Sequence, residues 1–419
     1  GLQSCLFQEE DYFDDSSANR ATADVKRCSE LLEAAPNGWE MEYYVGKDYS
    51  LGGITLLCKF DGQRVTMASQ IAGADETVSS LYSVKSEQAT MLSFDTYNYL
   101  VHYFGQPQGS MADDPNGTLG GDYEFIISSA SAERIELKGK KYGNRIVMKA
   151  LSEDQTWKQY LTRIKKVEDD AFFYEYDLRM DGLYTGQMLR SNYTFIVTYY
   201  DEVGKVYQKT VPFMFTTDGM RFHEPVTIDG QTMQNFVWKN EEISFVCTDE
   251  GATGVKMKGI YIDGYQSYDY YPGTYLMDFY RLNGATNQLE VASQEIQLVK
   301  NEDGKSYWLK GLEYDILATY DKPRGGLSIL PQFLKKVQGG YVYLAMWDLM
   351  NDYVLRSSAI GLISYPTTDG IYLVDNGVWM GEISGFIFGV YDSQDEEASF
   401  MGYTDAVAAI RLIKKTIEE

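Results

Sequence analysis

The stretch Asn37–Tyr44, read as N-G-W-E-M-E-Y-Y, constrains the fold more than any other. Asn37-Gly38 is a turn signal. After it, Trp39, Met41 and Tyr43 alternate with Glu40, Glu42 and Tyr44, the period-two pattern of a strand with one buried and one wet face. A single such strand is not stable in water, because its apolar face needs partner strands or a helix to cover it.

The rest of the chain supplies those partners. Short apolar runs predict strands at Ile54–Phe60, Arg64–Ser69, Ser80–Val84, Ala89–Asp95, Tyr123–Ser128, Arg134–Lys138 and Arg145–Leu151. Turn pairs such as Gly52-Gly53, Asp61-Gly62, Gly120-Gly121 and Gly143-Asn144 separate them. Upstream, Val25, Cys28, Leu31 and Leu32 share one helical face, and Pro36 stops that helix. A second helix pattern carries Trp157, Tyr160, Leu161, Ile164 and Val167. Strands resume at Tyr193–Tyr200 and run through Val255–Ile262. Pro272-Gly273 marks a third start, with further strands as far as Gly385–Tyr391. Ala406–Ile413 reads as a strand or as a short helix, since Val407, Ile410 and Ile413 lie three apart.

The expected fold is therefore mostly β, with consecutive antiparallel meanders closing into calycin-like barrels and two short helices. The segmentation is 1–20 as a tether, 21–152 as a helix plus β-meander barrel, 153–264 as a second helix plus meander, and 265–419 as a C-terminal calycin-like barrel. Ile135–Gly139 resembles Val255–Gly259, and the Phe60–Arg64 turn resembles Asp218–Arg221, which hints at a repeat of the first two blocks. The 35 tyrosines and 19 phenylalanines agree with a strand-rich chain.

The formal net charge of -24 argues against nucleic acid, whose phosphates would be repelled. Cys5, Cys28, Cys58 and Cys247 show no metal or redox spacing, and the last three are expected as buried thiols. The two histidines, His102 and His223, are isolated and expected to be structural. No metal site or cofactor is expected. No nucleophile elbow, phosphate loop or dinucleotide fingerprint occurs. Residues 113–122 cluster oxygen ligands without the spacing of a calcium loop. The cluster Tyr265, Tyr268, Tyr270 and Tyr271, with Tyr275, offers aromatic faces with polar edges to a sugar or peptide, or packs a joint.

Leu2-Gln3-Ser4-Cys5 resembles the end of a bacterial lipobox, and an acidic stretch follows it. Cys5 is expected to carry lipid after removal of a leader, with a solvated tether behind it. Further along, the carrying segments are Leu32–Tyr44, Gly52-Gly53 with Leu56–Phe60, Val65–Ser69, Ser80–Tyr82, Leu92–Asn98, His102–Phe104, Gly120–Phe125 and Glu224-Pro225. On these the chain resembles a family of uncharacterised Bacteroidetes cell-surface lipoproteins over most of residues 5–300. The resemblance implies a lipid-anchored protein of the outer membrane, surface-exposed, encoded near starch-utilisation-type transporters. It supplies no catalytic motif. Gly38-Trp39 is also similar to the Gly-x-Trp signature of lipocalin barrels without the intervening residue, which implies a core role for Trp39.

The function expected from this is non-catalytic: binding a glycan or peptide ligand in nutrient capture beside an outer-membrane transporter. The alternatives are an envelope hydrolase acting on glycans or peptides and a structural partner of a transporter complex.

Overall fold

The computed structural model describes the backbone of residues 3–102 and 121–416, and their side chains apart from those of 3–16, 47 and 102. The chain divides into two compact units, residues 1–260 and 261–419.

The first unit opens with helix α1 (Gln3–Ala34), which starts well before the helix expected over 21–35. Eight strands follow: β1 (Trp39–Val45), β2 (Gly52–Phe60), β3 (Arg64–Ser69), β4 (Val78–Ser86), β5 (Thr90–Phe94), β6 (Glu124–Ala130), β7 (Arg134–Gly139) and β8 (Arg145–Ala150). The four-residue α2 (Tyr99–His102) lies between β5 and β6. Each strand pairs with the next and β8 returns to β1, so the sheet closes into an up-and-down barrel. Its interior is filled by Trp39, Met41, Tyr43, Leu56, Phe94 and Phe125 among others. An eight-stranded barrel is just wide enough to be filled this way. Leu32 and Ala35 of α1 join that core, and the Trp39 indole N–H donates to the Leu32 carbonyl at 3.0 Å. Trp39 is thus a core residue that ties the helix end to the barrel.

Helix α3 (Trp157–Asp170) begins with a capping box between Thr156 and Gln159. The second barrel comprises β9 (Glu175–Met180), β10 (Leu183–Ser191), β11 (Thr194–Tyr200), β12 (Val206–Phe215), β13 (Gly219–Ile228), β14 (Gln231–Lys239), β15 (Ser244–Cys247) and β16 (Val255–Ile260). β16 closes onto β9. β9 and β10 are additions to the expected strands. They were legible: Tyr176, Leu178 and Met180 alternate with charges, and Asp181-Gly182, both at positive φ, is a hairpin turn. The core of this barrel is rich in phenylalanine, with Phe195 and Phe213 stacked at 4.4 Å.

The two barrels share a helix-then-meander plan, but the sequence likenesses do not fall on equivalent strands. Ile135–Gly139 is the seventh strand of its barrel and Val255–Gly259 lies in the eighth of the other. The Phe60–Arg64 turn joins second and third strands, whereas Asp218-Gly219 joins the fourth and fifth. Those short matches reflect common strand and turn chemistry.

Within this unit α3 is a wedge. Leu161 packs on the outer surface of the first barrel with Leu57 and Ala68, while Ile164 and Val167 enter the core of the second. The Glu168 carboxylate accepts from Gln70 at 3.0 Å and from the Tyr193 hydroxyl at 2.7 Å. Gly52 and Tyr193 form a bridge between the barrels. Gly52-Gly53 therefore serves close backbone approach as well as turning the chain.

The second unit holds β17 (Gly273–Asn283), β18 (Gln288–Lys300), β19 (Ser306–Lys310), β20 (Ile316–Asp321), β21 (Gly326–Ile329), β22 (Gln332–Val337), β23 (Gly340–Asp348), β24 (Tyr353–Leu355), β25 (Leu362–Thr367), β26 (Gly370–Asp375), β27 (Gly385–Tyr391) and β28 (Phe400–Lys414). They form one twelve-stranded sheet. It closes on itself where β28 pairs with β17, leaving β27, β23, β22 and β24 as an extension. The ambiguous segment at 406–413 is a strand. The three-residue spacing of Val407 and Ile410 that imitates a helix comes from a register shift at Ala409, which sits at φ 51°.

Cys28, Cys58 and Cys247 are free and buried. Burial raises all three thiol pKa values, that of Cys247 to about 11, so they are unreactive side chains of the core.

Candidate functional site

The alternation that opens the chain places Trp39, Met41, Tyr43 and Val45 inside the first barrel. Glu40, Glu42 and Tyr44 point outward, but this face is not wet. Glu42 is 7% exposed and Tyr44 is 4% exposed, because the second barrel and α3 cover them. A buried carboxylate needs partners. Glu42 accepts from the Lys149 ammonium at 2.9 Å and from the Arg221 guanidinium. Lys149 belongs to β8 and Arg221 to β13, so this ion trio joins both barrels. Arg221 also approaches the Met214 sulfur at 3.3 Å.

His223 reaches the same place through an irregularity in β13. Between Arg221 and Val226 the register with β14 shifts: Arg221 faces Asn235 and Val226 faces Met233, leaving Phe222–Pro225 opposite Gln234. Pro225 has no N–H for the ladder, which favours such a break. The excess residues carry the His223 ring to 4.1 Å from Tyr44 and 4.7 Å from Tyr49.

Above this trio lies a cavity of about 480 Å³. Its wall comes from β1, β6, β7 and β8 of one barrel and from β13 and β14 of the other. Five cations, Arg134, Lys138, Arg145, Lys149 and Arg221, line it against two carboxylates, Glu42 and Glu136. That excess runs against a chain with 61 acidic and 37 basic residues. A second concavity of about 490 Å³, near Asn37 and Trp157, has one cation, Lys59, against Glu153 and Asp154. The two differ in charge, not in size.

Burial lowers the His223 pKa below its ordinary 6.5. Arg145 lowers it too, while Glu224 and Glu42 pull the other way. The unfolded chain therefore takes up this proton first as pH falls, and the folded state loses stability on acidification. The melting temperature is expected to drop between about pH 7 and pH 5, and His223→Gln is expected to flatten that part of the profile. Thermal melts of both proteins across this range check it.

Of the residues singled out from sequence, His223 lines this cavity, and the tyrosine cluster belongs to the second unit. The side chains of Cys5 and His102, and the loop carrying Asp113 and Asp114, fall outside the described residues. Asp122, at the end of that loop, accepts from the backbone of Lys141, Tyr142 and Asn144, a structural role. Among the described residues no group of three or more His, Cys, Asp or Glu side chains is placed to hold a metal. No described helix is long and apolar enough to cross a membrane.

In the second unit, Tyr271 is buried and donates to the Gly325 carbonyl at 2.8 Å. Tyr268 is half-buried, donates to the Ser306 carbonyl and stacks on Tyr307 at 4.7 Å. Tyr265 is half-buried and lies within hydrogen-bond reach of the Tyr320 hydroxyl. Tyr270 is exposed, with the Lys414 ammonium 4.5 Å from its ring centre. Tyr275 lies in the core.

The cavity residues were not legible as a group. Glu42, Arg145, Arg221 and His223 come from three strands that only barrel closure brings together. The one local signal was the Glu224-Pro225 interruption after a strand.

No curated protein matches this chain. A domain of unknown function, DUF4987, matches residues 248–387. A second domain of unknown function, DUF4302, matches residues 9–240, more than half of the chain and both barrels of the first unit up to the end of β14. The protein belongs to the DUF4302 family.

Proposed function

We propose that this is a non-catalytic lipoprotein of the cell envelope, anchored through Cys5. It binds a glycan or peptide and passes it to a neighbouring outer-membrane transporter. The address rests on the lipobox-like Leu2–Cys5 and on the resemblance to Bacteroidetes surface lipoproteins. The binding role rests on one observation, the cavity at the junction of the two barrels. Its volume lies within the range of small-ligand sites. The one buried carboxylate in its wall is committed to two cations, which suits a fixed, charged binding surface better than proton transfer.

A hydrolase is the second reading, favoured by Glu40. Burial raises this carboxyl above the usual range, against a hydrogen bond with Tyr160, and it is two residues from Glu42 on the same face of β1. Yet Glu40 is directed at α3 and does not line the cavity.

A screen of the intact protein against glycans and peptides, read for both binding and turnover, tests the role. Binding without turnover is expected. Turnover abolished by Glu40→Gln would replace the binding reading with the hydrolytic one. Mass spectrometry of the protein from its host is expected to find acylated Cys5, and an unmodified terminus in a soluble fraction would refute the address.

A further inference from the structure

Two strands of the first barrel carry an arrangement that disfavours their own pairing. Lys138 on β7 lies directly opposite Arg145 on β8, and Arg134 directly opposite Lys149. Opposed like charges at cross-strand spacing, about 5 Å between Cβ atoms, destabilise a sheet. At one end the repulsion is relieved: Arg134 pairs with Glu136 at 3.0 Å and Lys149 with Glu42. At the other end both cations are exposed and only water screens them. Among the described residues no ion pair reaches Lys138 or Arg145. The two ends are four residues apart along the strands, about 13 Å at roughly 3.3 Å per residue. Arg145 and His223 line the same cavity, so this end lies beside residues of the second barrel.

A chain with 61 carboxylates had ample means to place one here. A cross-strand cation pair without a partner, on the wall of a cavity, is the arrangement that an oxyanion would complete, because charge-assisted hydrogen bonds to an oxyanion convert the repulsion into attraction. The remaining wall suits a hydroxyl-rich body, since Ser128, Glu136 and Gln234 offer polar atoms. Extended peptides commonly bind by adding a strand to an open sheet edge, and both barrels of this unit are closed and present no edge.

We propose that the junction cavity takes an acidic saccharide, with Lys138 and Arg145 binding its carboxylate or sulfate group. This rests on the binding reading above and narrows its ligand class.

Titration calorimetry on the full chain tests it with five probes: trigalacturonate, a κ-carrageenan oligosaccharide, maltotriose, tetraglutamate and sodium sulfate. At least one acidic saccharide is expected to bind, and the preferred arm tells carboxylate from sulfate. Raising NaCl from 50 to 200 mM should weaken it severalfold. The double variant Lys138→Gln/Arg145→Gln should weaken it tenfold or more while melting at the same or a higher temperature, since it removes repulsion. Lys138→Arg should retain binding, and Lys205→Gln, in a distant turn, should change nothing. Maltotriose binding as tightly as the acidic sugars, or a double variant that binds them unchanged, would overturn the anion assignment and leave the binding reading standing. Preference for tetraglutamate would overturn the saccharide. Sulfate alone binding would reduce the site to a free-anion site and overturn it likewise. Binding of none of the probes would overturn this proposal and count against the binding reading too.

Discussion

Glu42→Ala is expected to destabilise the first unit by about 2–4 kcal/mol, somewhat below the ~3–5 kcal/mol for breaking a wholly buried pair. The carboxylate is buried, and it is the acceptor for both Lys149 and Arg221. Its removal leaves two cations facing each other across the barrel junction. Lys149 is 40% exposed and Arg221 is 24% exposed, so water recovers part of the loss, which is why the lower range is expected. The sign of the compensating change is the stronger check. Glu42→Leu with Arg221→Met should melt higher than Glu42→Ala alone, because the cation is withdrawn with its partner and an apolar pair fills the space. Denaturant melts of Glu42→Leu, Arg221→Met and the double variant, treated as a cycle, measure the coupling. Equal melting of Glu42→Ala and the natural protein would mean that the junction is held by other contacts.

Gly52→Ala is expected to have the other large effect. Gly52 sits at φ 72°, a conformation that disfavours any side chain by about 1–2 kcal/mol. A Cβ there would lie 1.9 Å from the Tyr193 carbonyl oxygen, which is backbone and has no rotamer to change. Either β2 or the start of β11 must move, and the Tyr193 N–H bond to the Leu51 carbonyl, 3.2 Å long, would be lost with it. A total of roughly 3 kcal/mol or more is expected, the range of substitutions that combine strain with a lost close approach. Hydrogen exchange should show the loss locally. The Tyr193 amide is expected to exchange faster, with the core strand β5 less affected. By contrast, Gly230→Ala, at a similar φ of 73° but with no atom within 4 Å, should be affected by the conformational term alone.

The paired variants separate two ways in which the barrels are joined. Glu42 joins them through charge and Gly52 through the absence of a side chain. Glu42 lies outside both cores, whereas Tyr193 packs against each of them, so Glu42→Ala is expected to loosen the junction alone and Gly52→Ala to disturb the adjoining core packing as well. The cavity would feel both changes, since Arg221 and His223 are positioned from the second barrel and the other cations from the first.

The strands of the first barrel are legible in the sequence almost residue by residue. β1, Trp39–Val45, and β3, Arg64–Ser69, are as the alternation and turns place them. This is so because a strand's period and its turn residues are local properties, written within a few neighbours. The sequence also marks which face of β1 enters the core, from Trp39, Met41 and Tyr43. Where local pattern was ambiguous the reading divided: Val407 and Ile410 are three apart because of a bulge at Ala409, and spacing alone does not tell a bulge from a helical turn. Tertiary structure decided the fate of the opposite face. Glu40, Glu42 and Tyr44 read as wet, and in a single barrel they would be. Glu42 and Tyr44 are buried and Glu40 half-buried, because a second barrel and a helix pack over them, at a surface that no period within β1 records. The same closure set Lys138 against Arg145 and brought Arg221 and His223, some eighty residues away, to the other side. Charges on separate strands become a site only when register and barrel closure fix their distances, and those are properties of the whole chain.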